Sequence, residues 1–262
     1  MKIHFYKYHG TGNDFILIDN RKKQASFINK KIIAEMCDRH FGIGADGLML
    51  LNSHEEYDFE MDYYNSDGSG STMCGNGGRC IVAFAKKMKL FENLTTFIAS
   101  DGVHEASINN EETVKLKMTN VVDFEEDAGG FVIDTGSPHY VVFKDDIKQL
   151  DVFNKGKEIR NSNKFKEKGI NVNFVSENKT EISIRTYERG VENETLSCGT
   201  GSVASAIAYY KKYKPNSNKI KLKTLGGNLK VEFEEKANSF VNVYLEGEAK
   251  FIFEGDYYLT RN

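Results

Sequence analysis

The chain lacks the marks of a secreted, membrane-bound or nucleic-acid-binding protein. Its start, Met1-Lys2-Ile3-His4-Phe5-Tyr6-Lys7, has no apolar stretch of the kind that directs secretion. No run approaches the roughly 20 apolar residues of a membrane span. The net charge is only −3, so no basic footprint for nucleic acid or acidic surfaces is expected. Lysine clusters such as Lys86-Lys87 and Lys211-Lys212 read as solvated faces. Four cysteines in 262 residues do not make a secreted disulfide framework. Neither C-x-x-C nor a Cys/His cluster at zinc spacing occurs, so no metal is expected. No lysine stands in a motif suited to a Schiff base, and no low-complexity segment interrupts the chain. A cytoplasmic location and a small-molecule ligand, with no nucleic acid and no membrane, are the expectations that remain.

What is present is a duplicated motif. Met73-Cys74-Gly75-Asn76-Gly77-Gly78 resembles Ser197-Cys198-Gly199-Thr200-Gly201-Ser202, and Cys198 lies 124 residues after Cys74. The same offset superposes Gly12 on Gly136, Asn13 on Ser137, Tyr63 on Tyr187, Asn65 on Arg189 and Gly102 on Gly226. Matches at one ungapped offset indicate two copies of one unit, and the period is too long for a solenoid. With 40% hydrophobic and 28% charged residues, the chain reads as two globular domains of ordinary size. The acidic stretch Asp123, Glu125, Glu126 and Asp127 interrupts the apolar pattern and marks the crossing between them. Residues 1–120, joined by a C-terminal segment of about 251–262, are expected to carry Cys74, and residues 121–250 to carry Cys198.

Periodicity predicts strands at 4–8, 15–19, 47–51, 59–64, 96–99, 105–108 and 114–118 in the first half. The second half repeats the pattern at 131–134, 140–143, 173–175, 182–187, 220–224, 229–234 and 241–245, with further strand at 248–253 and 256–259. A helix is predicted at 29–39. Two more, at 79–88 and 202–213, follow the cysteine motifs and are apolar on nearly every side. Such helices must be enclosed by other structure. The expected fold is α+β: two pseudo-duplicated domains, each a mostly antiparallel or mixed sheet wrapped around a buried central helix, with an active site in the cleft between them.

The Cys-Gly-x-Gly element is suited to proton chemistry. Its glycines allow a tight turn and a close backbone approach. The helix that follows points free N–H groups and a positive dipole end at the turn, favouring a bound carboxylate and a thiolate. Two such thiols can remove a proton from one face of a carbon and return one to the other. Backbone donors at the helix ends can hold the enediolate-like charge that develops on the adjacent carboxylate. One cysteine must begin as thiolate and the other as thiol, so their titrations are coupled. Nine residues before each cysteine stand polar groups, Asn65 in one half and Arg189 beside Glu188 in the other. A guanidinium with an amide and a carboxylate matches the two charges of an amino acid.

At this point the residues carry a resemblance. The stretches His9-Gly10-Thr11-Gly12-Asn13-Asp14-Phe15, Phe41-Gly42-Ile43-Gly44-Ala45-Asp46, Asn65-Ser66-Asp67-Gly68, Cys74-Gly75-Asn76-Gly77-Gly78-Arg79-Cys80, Gly136-Ser137-Pro138-His139, Tyr187-Glu188-Arg189-Gly190 and Cys198-Gly199-Thr200-Gly201 run in an order that resembles diaminopimelate epimerases along the whole chain. The resemblance implies an isomerase that interconverts LL- and meso-diaminopimelate without a cofactor, in lysine and peptidoglycan precursor synthesis, and a homodimer. It implies Cys74 and Cys198 as the proton donor and acceptor, with backbone at Gly75, Asn76, Gly199 and Thr200 holding the reacting carboxylate. Asn13, Asn65, Asn171, Glu188 and Arg189 would bind substrate, and His139 would line the site. Two positions depart from the family pattern: Gly47 where glutamine is frequent, and Ser137 where asparagine is frequent. The internal offset pairs Gly47 with Asn171 and Ser137 with Asn13, so one copy of each pair keeps the amide.

Other readings stand beside this one. A cofactor-free racemase acting on proline, hydroxyproline or histidine would use the same two thiols, although Glu188 and Arg189 favour a substrate with a second charged end. A non-catalytic amino-acid or thiol-redox binding protein would show no exchange at Cα. Cys37 and Cys80 lack the glycine context and read as structural. Gly42-Ile43-Gly44-Ala45-Asp46-Gly47 spells G-x-G-x-x-G, but helix precedes it and strand follows, the reverse of a dinucleotide fingerprint.

Overall fold

A computed structural model describes residues 2–109, 113–127, 129–178 and 181–259. The sequence-based ranges 1–120, 121–250 and 251–262 also include 1, 110–112, 128, 179–180 and 260–262, which lie outside the described residues. The first half runs β1 (Lys2–Gly10), β2 (Asn13–Asp19), α1 (Lys30–Cys37), β3 (Gly47–Asn52), β4 (Phe59–Asn65), α2 (Gly75–Lys87), β5 (Leu94–Ala99), β6 (Gly102–Ile108) and β7 (Thr113–Lys117). The second runs β8 (Phe124–Asp127), β9 (Gly130–Asp134), β10 (Pro138–Phe143), α3 (Val152–Arg160), β11 (Asn171–Asn178), β12 (Glu181–Glu188), β13 (Asn193–Thr195), α4 (Gly199–Tyr213), β14 (Lys219–Thr224), β15 (Gly227–Lys236) and β16 (Ser239–Glu248), and β17 (Lys250–Tyr258) follows. The chain divides into two units, Met1–Leu116 with Glu248–Asn262, and Lys117–Gly247.

In the first unit β17 pairs antiparallel with β1, which pairs antiparallel with β2. The sheet continues β2–β3 parallel, β3–β4 antiparallel, β4–β5 parallel and β5–β6–β7 antiparallel. This mixed sheet curls around α2, which touches β1, β2, β3 and β6. Every α2 residue from Gly75 to Ala85 is buried, as its apolar all-round sequence predicts. Phe15, Ile16, Leu17 and Ile18 of β2 are fully buried, the pattern of a strand covered on both faces.

The second unit repeats the plan. Antiparallel β8–β9–β10, parallel β10–β11, antiparallel β11–β12, parallel β12–β14 and antiparallel β14–β15–β16 wrap around α4. The repetition extends to register. The parallel pair Phe15↔Gly47 recurs 124 residues on as His139↔Asn171. Gly12 and Gly136 share a left-handed backbone, with φ of 88° and 90°, which explains why both copies keep glycine. The offset slips by one elsewhere. The hairpin pair Ala99↔Gly102 recurs as Thr224↔Gly227, so Gly227, not Gly226, is the counterpart of Gly102.

Three expectations are corrected. Both enclosed helices begin earlier than predicted, at Gly75 and Gly199, and the glycines are their first turns, not loops before them. Helix α3 was not predicted: Gly156 and the sparse apolar residues of 152–160 obscure it. A Cβ at Gly156 would lie 2.3 Å from the Tyr187 Cβ, so close packing against β12 demands the glycine. The acidic stretch read as a crossing includes a strand, β8, paired with β9; exposed carboxylates suit a strand at a sheet edge. Among the described residues no helix is long and apolar enough to cross a membrane.

Candidate active site

In the first unit Cys74 is the N-cap of α2. Its Sγ accepts a hydrogen bond from the Gly77 N–H at 3.2 Å. A sulfur in place of the usual Ser or Asp cap is thereby held at the positive end of a 13-residue helix. Gly77 is glycine for space, since a Cβ there would lie 3.2 Å from that Sγ and 2.7 Å from the Met49 Cε. The helix mouth is tied to the β1–β2 hairpin. That two-residue turn, Thr11-Gly12, has positive φ at both positions, a conformation costly for a β-branched residue. Arg79 holds it: the guanidinium donates to the Thr11 Oγ1 at 3.1 Å, the Asn76 Oδ1 at 3.1 Å and the Gly75 carbonyl at 3.0 Å. Asn76 donates in turn to the Asn13 Oδ1 at 3.3 Å, and Asn13 donates to Asp46 at 2.7 Å.

Asp14, Lys7, Arg39 and Asp46 form an ionic cluster behind Asn13. Burial alone would raise the Asp14 carboxyl, but the Arg39 and Lys7 bonds outweigh it and hold the pKa at about 2. Asn65 ends β4 directly across from Gly47, and its amide donates to the Ser69 Oγ at 3.2 Å. The structure explains Gly47. A Cβ there would meet the Tyr64 carbonyl at 2.6 Å and the Tyr63 Cε2 at 2.7 Å. The Tyr63 ring and the Tyr64 carbonyl thus occupy the space that a side chain at this position would need. Cys37 and Cys80 are buried; burial raises the Cys37 thiol to about 12 and pushes Cys80 up as well.

In the second unit Cys198 is the N-cap of the 15-residue α4, without a side-chain cap bond. Its Sγ lies 3.5 Å from the Thr200 Oγ1. A Cβ at Gly201 would lie 3.3 Å from this sulfur and 2.4 Å from the Asn173 Oδ1. A buried polar chain runs behind Thr200. The Thr186 hydroxyl donates to the Asn173 Oδ1 at 2.9 Å, which turns the Asn173 amide N–H toward the His139 Nδ1 at 3.0 Å. His139 Nδ1 is therefore the acceptor, and its Nε2–H faces the Thr200 Oγ1 at 3.0 Å. Burial, aided by the Arg189 charge, lowers the His139 pKa to about 3, so the ring stays neutral. The Thr135 hydroxyl bonds the Thr200 carbonyl at 3.2 Å, echoing Thr11 in the first unit.

Asn171 acts as a brace. Its Nδ2 donates to the Ser137 Oγ and the Pro138 carbonyl, both at 2.9 Å, and its Oδ1 accepts the Arg189 backbone N–H at 2.9 Å. Ser137 thus accepts a hydrogen bond from the amide of its neighbour Asn171. The exposed Arg189 side chain donates to the Lys168 carbonyl at 3.1 Å, and Glu188 accepts from the Thr195 hydroxyl at 2.8 Å. Gly75, Asn76 and Arg79 thus gather about Cys74, with Asn13 bonded to Asn76, while Thr200 and His139 gather about Cys198. Sequence reasoning passed over Arg79, Thr11, Thr135, Asn173 and Thr186. Two signals were available: Thr135 lies one repeat after Thr11, and Asn173 shares a strand face with Asn171.

A family model described as diaminopimelate epimerase matches residues 5–124 and 131–252. The chain is 52% identical over 250 residues to the diaminopimelate epimerase of Flavobacterium psychrophilum, covering 95% of this chain and 98% of the relative. Its fold is similar to a PhzF-family phenazine biosynthesis protein of Bacillus anthracis, with a TM-score of 0.77 at 15% identity over 99% of this chain and 100% of the other. A probable proline racemase from Agrobacterium radiobacter K84 shares the fold at a TM-score of 0.69 and 13% identity, covering 98% and 93% of the two chains.

Proposed function

The chain belongs to the diaminopimelate epimerase family, and on that premise we propose that it inverts one Cα of diaminopimelate, LL to meso, by acid–base chemistry between two thiols. One cysteine thiolate takes the α-proton and becomes a thiol. The other thiol gives its proton to the opposite face of the same carbon and becomes a thiolate. The observation that carries this reading is the repeated N-cap: Cys74 and Cys198 each occupy the N-cap of a buried glycine-led helix. Helix N–H groups at Gly75, Asn76, Gly199 and Thr200 would stabilise the charge on the substrate carboxylate. Asn13, Asn65, Asn171, Glu188 and Arg189 would recognise the amino-acid end that does not react, with Gly47, Ser137 and His139 lining the site. Asn171 would contribute chiefly through the Ser137 turn and Arg189 that it holds. Two thiols supply both proton transfers, so the scheme calls for no cofactor.

The product serves lysine and peptidoglycan precursor synthesis, which sets the expected location in the cytoplasm. Association as a homodimer belongs to the same reading and is checked by sedimentation. The deciding experiment is incubation with LL-diaminopimelate in D2O followed by chiral separation and mass analysis. Meso product carrying one deuterium at the inverted Cα is expected. Absence of conversion, or product that retains its original proton, overturns the proposal.

A further inference from the structure

The two N-cap cysteines share a backbone setting and differ in the charge placed beside them. Arg79 is wholly buried, and among the described residues its Nε has no hydrogen-bond partner. Its other contacts are neutral oxygens of Thr11, Gly75 and Asn76. Among the described residues no carboxylate pairs with it. A buried guanidinium stays protonated, and leaving it without a counter-ion is costly. Its charge therefore favours any anion that forms nearby. It sits on the first turns of α2, bonded to the residue that follows Cys74. The Cys74 sulfur already accepts the Gly77 N–H. The position of Arg79 in the other copy is Val203, which is apolar and buried.

We propose that Arg79 is a positioning residue that holds Cys74 as a thiolate in the unliganded protein. On the two-thiol reading above, Cys74 then begins a turnover as base and Cys198 as acid. Each inversion moves one proton from Cα to the Cys74 sulfur and one from the Cys198 sulfur to Cα. The charge therefore ends on Cys198. Exchange with solvent then restores the starting state, and Arg79 sets its direction.

The other charges around the two sulfurs do not reverse this order. On α2 itself Cys80 is a buried thiol. Asp14 on β2 is neutralised by Lys7 and Arg39. Asp101 accepts the Met73 N–H and is bonded by His104. Around Cys198, His139 is neutral, and the Arg189 charge, which reaches His139, is carried on an exposed side chain beside Glu188, where water weakens it relative to the wholly buried Arg79. Burial lowers the Arg79 pKa, and its interactions with the Cys80 and Cys74 sulfurs work against that.

The test is alkylation by iodoacetamide across a pH series, followed by peptide mass analysis that scores Cys74 and Cys198 separately. It reads protonation and not turnover, so its outcome is independent of the substrate assignment. In the native sequence Cys74 should titrate at least about one unit below the ordinary thiol value near 8.5, and below Cys198. Arg79→Met should raise the Cys74 midpoint by about one unit and slow its alkylation at neutral pH about five- to tenfold. Arg79→Lys should restore most of the shift. If Arg79 only braced the Thr11 turn, Arg79→Met would lower the melting temperature and leave the Cys74 midpoint unmoved, and the proposal would fall. Should Arg79→Met not fold, the native order decides: Cys198 titrating at or below Cys74 overturns it.

Discussion

The first and second units place a cysteine on the same helix mouth and then surround it with different polar chemistry. In the first, a buried cation and a strained hairpin turn press against the start of α2. In the second, a chain of neutral groups, Thr186 to Asn173 to His139 to Thr200, lies behind the start of α4. The duplicated backbone was kept, and the side chains that tune it diverged. A fixed charge can hold a thiolate at rest. A neutral hydroxyl relayed from a neutral imidazole can either accept from a thiol or donate to a thiolate, because Thr200 carries both a proton and lone pairs. On the proposed two-thiol reading, the two sulfurs need different resting states, and equal helix ends alone would not provide them.

The strongest way to break the comparison is to remove either sulfur. Cys74→Ala and Cys198→Ala should each lower epimerisation by about 10³-fold or more, since one face then lacks its acid or base. Retained inversion in either variant, measured by chiral chromatography, would falsify the two-thiol account.

The glycines facing each sulfur sharpen it next. Gly201→Ala directs its Cβ at Asn173, whose amide is pinned by Thr186 and His139, and should cost about 1–3 kcal/mol in urea unfolding. Gly77→Ala meets the flexible end of Met49, and the helix gains about 1 kcal/mol from alanine, so its net cost should be smaller. Equal losses in the two variants would mean that the neutral chain is not the more rigid wall.

Acid should affect the second unit through His139. Its pKa is lowered from 6.5 to about 3 by burial. The unfolded chain takes up a proton near pH 6.5, and the folded chain does not until about pH 3. Stability is therefore full above the unfolded value and falls with pH between the two, at about 1.4 kcal/mol per unit. From pH 7 to pH 5 the native sequence should lose about 2 kcal/mol more than His139→Gln in parallel urea titrations. Identical pH dependence would remove the argument for a neutral ring.

The smallest effect on activity is expected at the cysteines outside the motif. Cys37→Ala and Cys80→Ala leave small gaps among buried side chains and should cost about 1–2 kcal/mol of stability, with epimerisation kept within about twofold. A large loss of activity in Cys80→Ala without unfolding would show that α2 contributes a third thiol.

Much of the architecture was legible from local patterns. Gly12 and Gly136 mark equivalent turns because only glycine takes their backbone cheaply, and α2 and α4 declare their burial by being apolar on nearly every side. Helix α3 escaped because Gly156 answers to Tyr187, a residue far along the chain, while the offset that carries α1 onto it went unused. The early start of both helices escaped because glycine is a poor helix former in isolation. Here the missing Cβ makes room for a sulfur and a neighbouring side chain.

The sequence by itself determined the duplication, the two cysteines that precede buried helices and the wrapped sheets. These follow from spacing and periodicity within each segment. Only the tertiary structure decided which groups tune the sulfurs. Arg79 meets Thr11 across 68 residues and His139 meets Thr200 across 61, while Tyr63 fills the space at Gly47. Charge, tautomer and free volume depend on what the fold brings within a few ångströms and on the water it removes, and neither is written in the order of neighbouring residues.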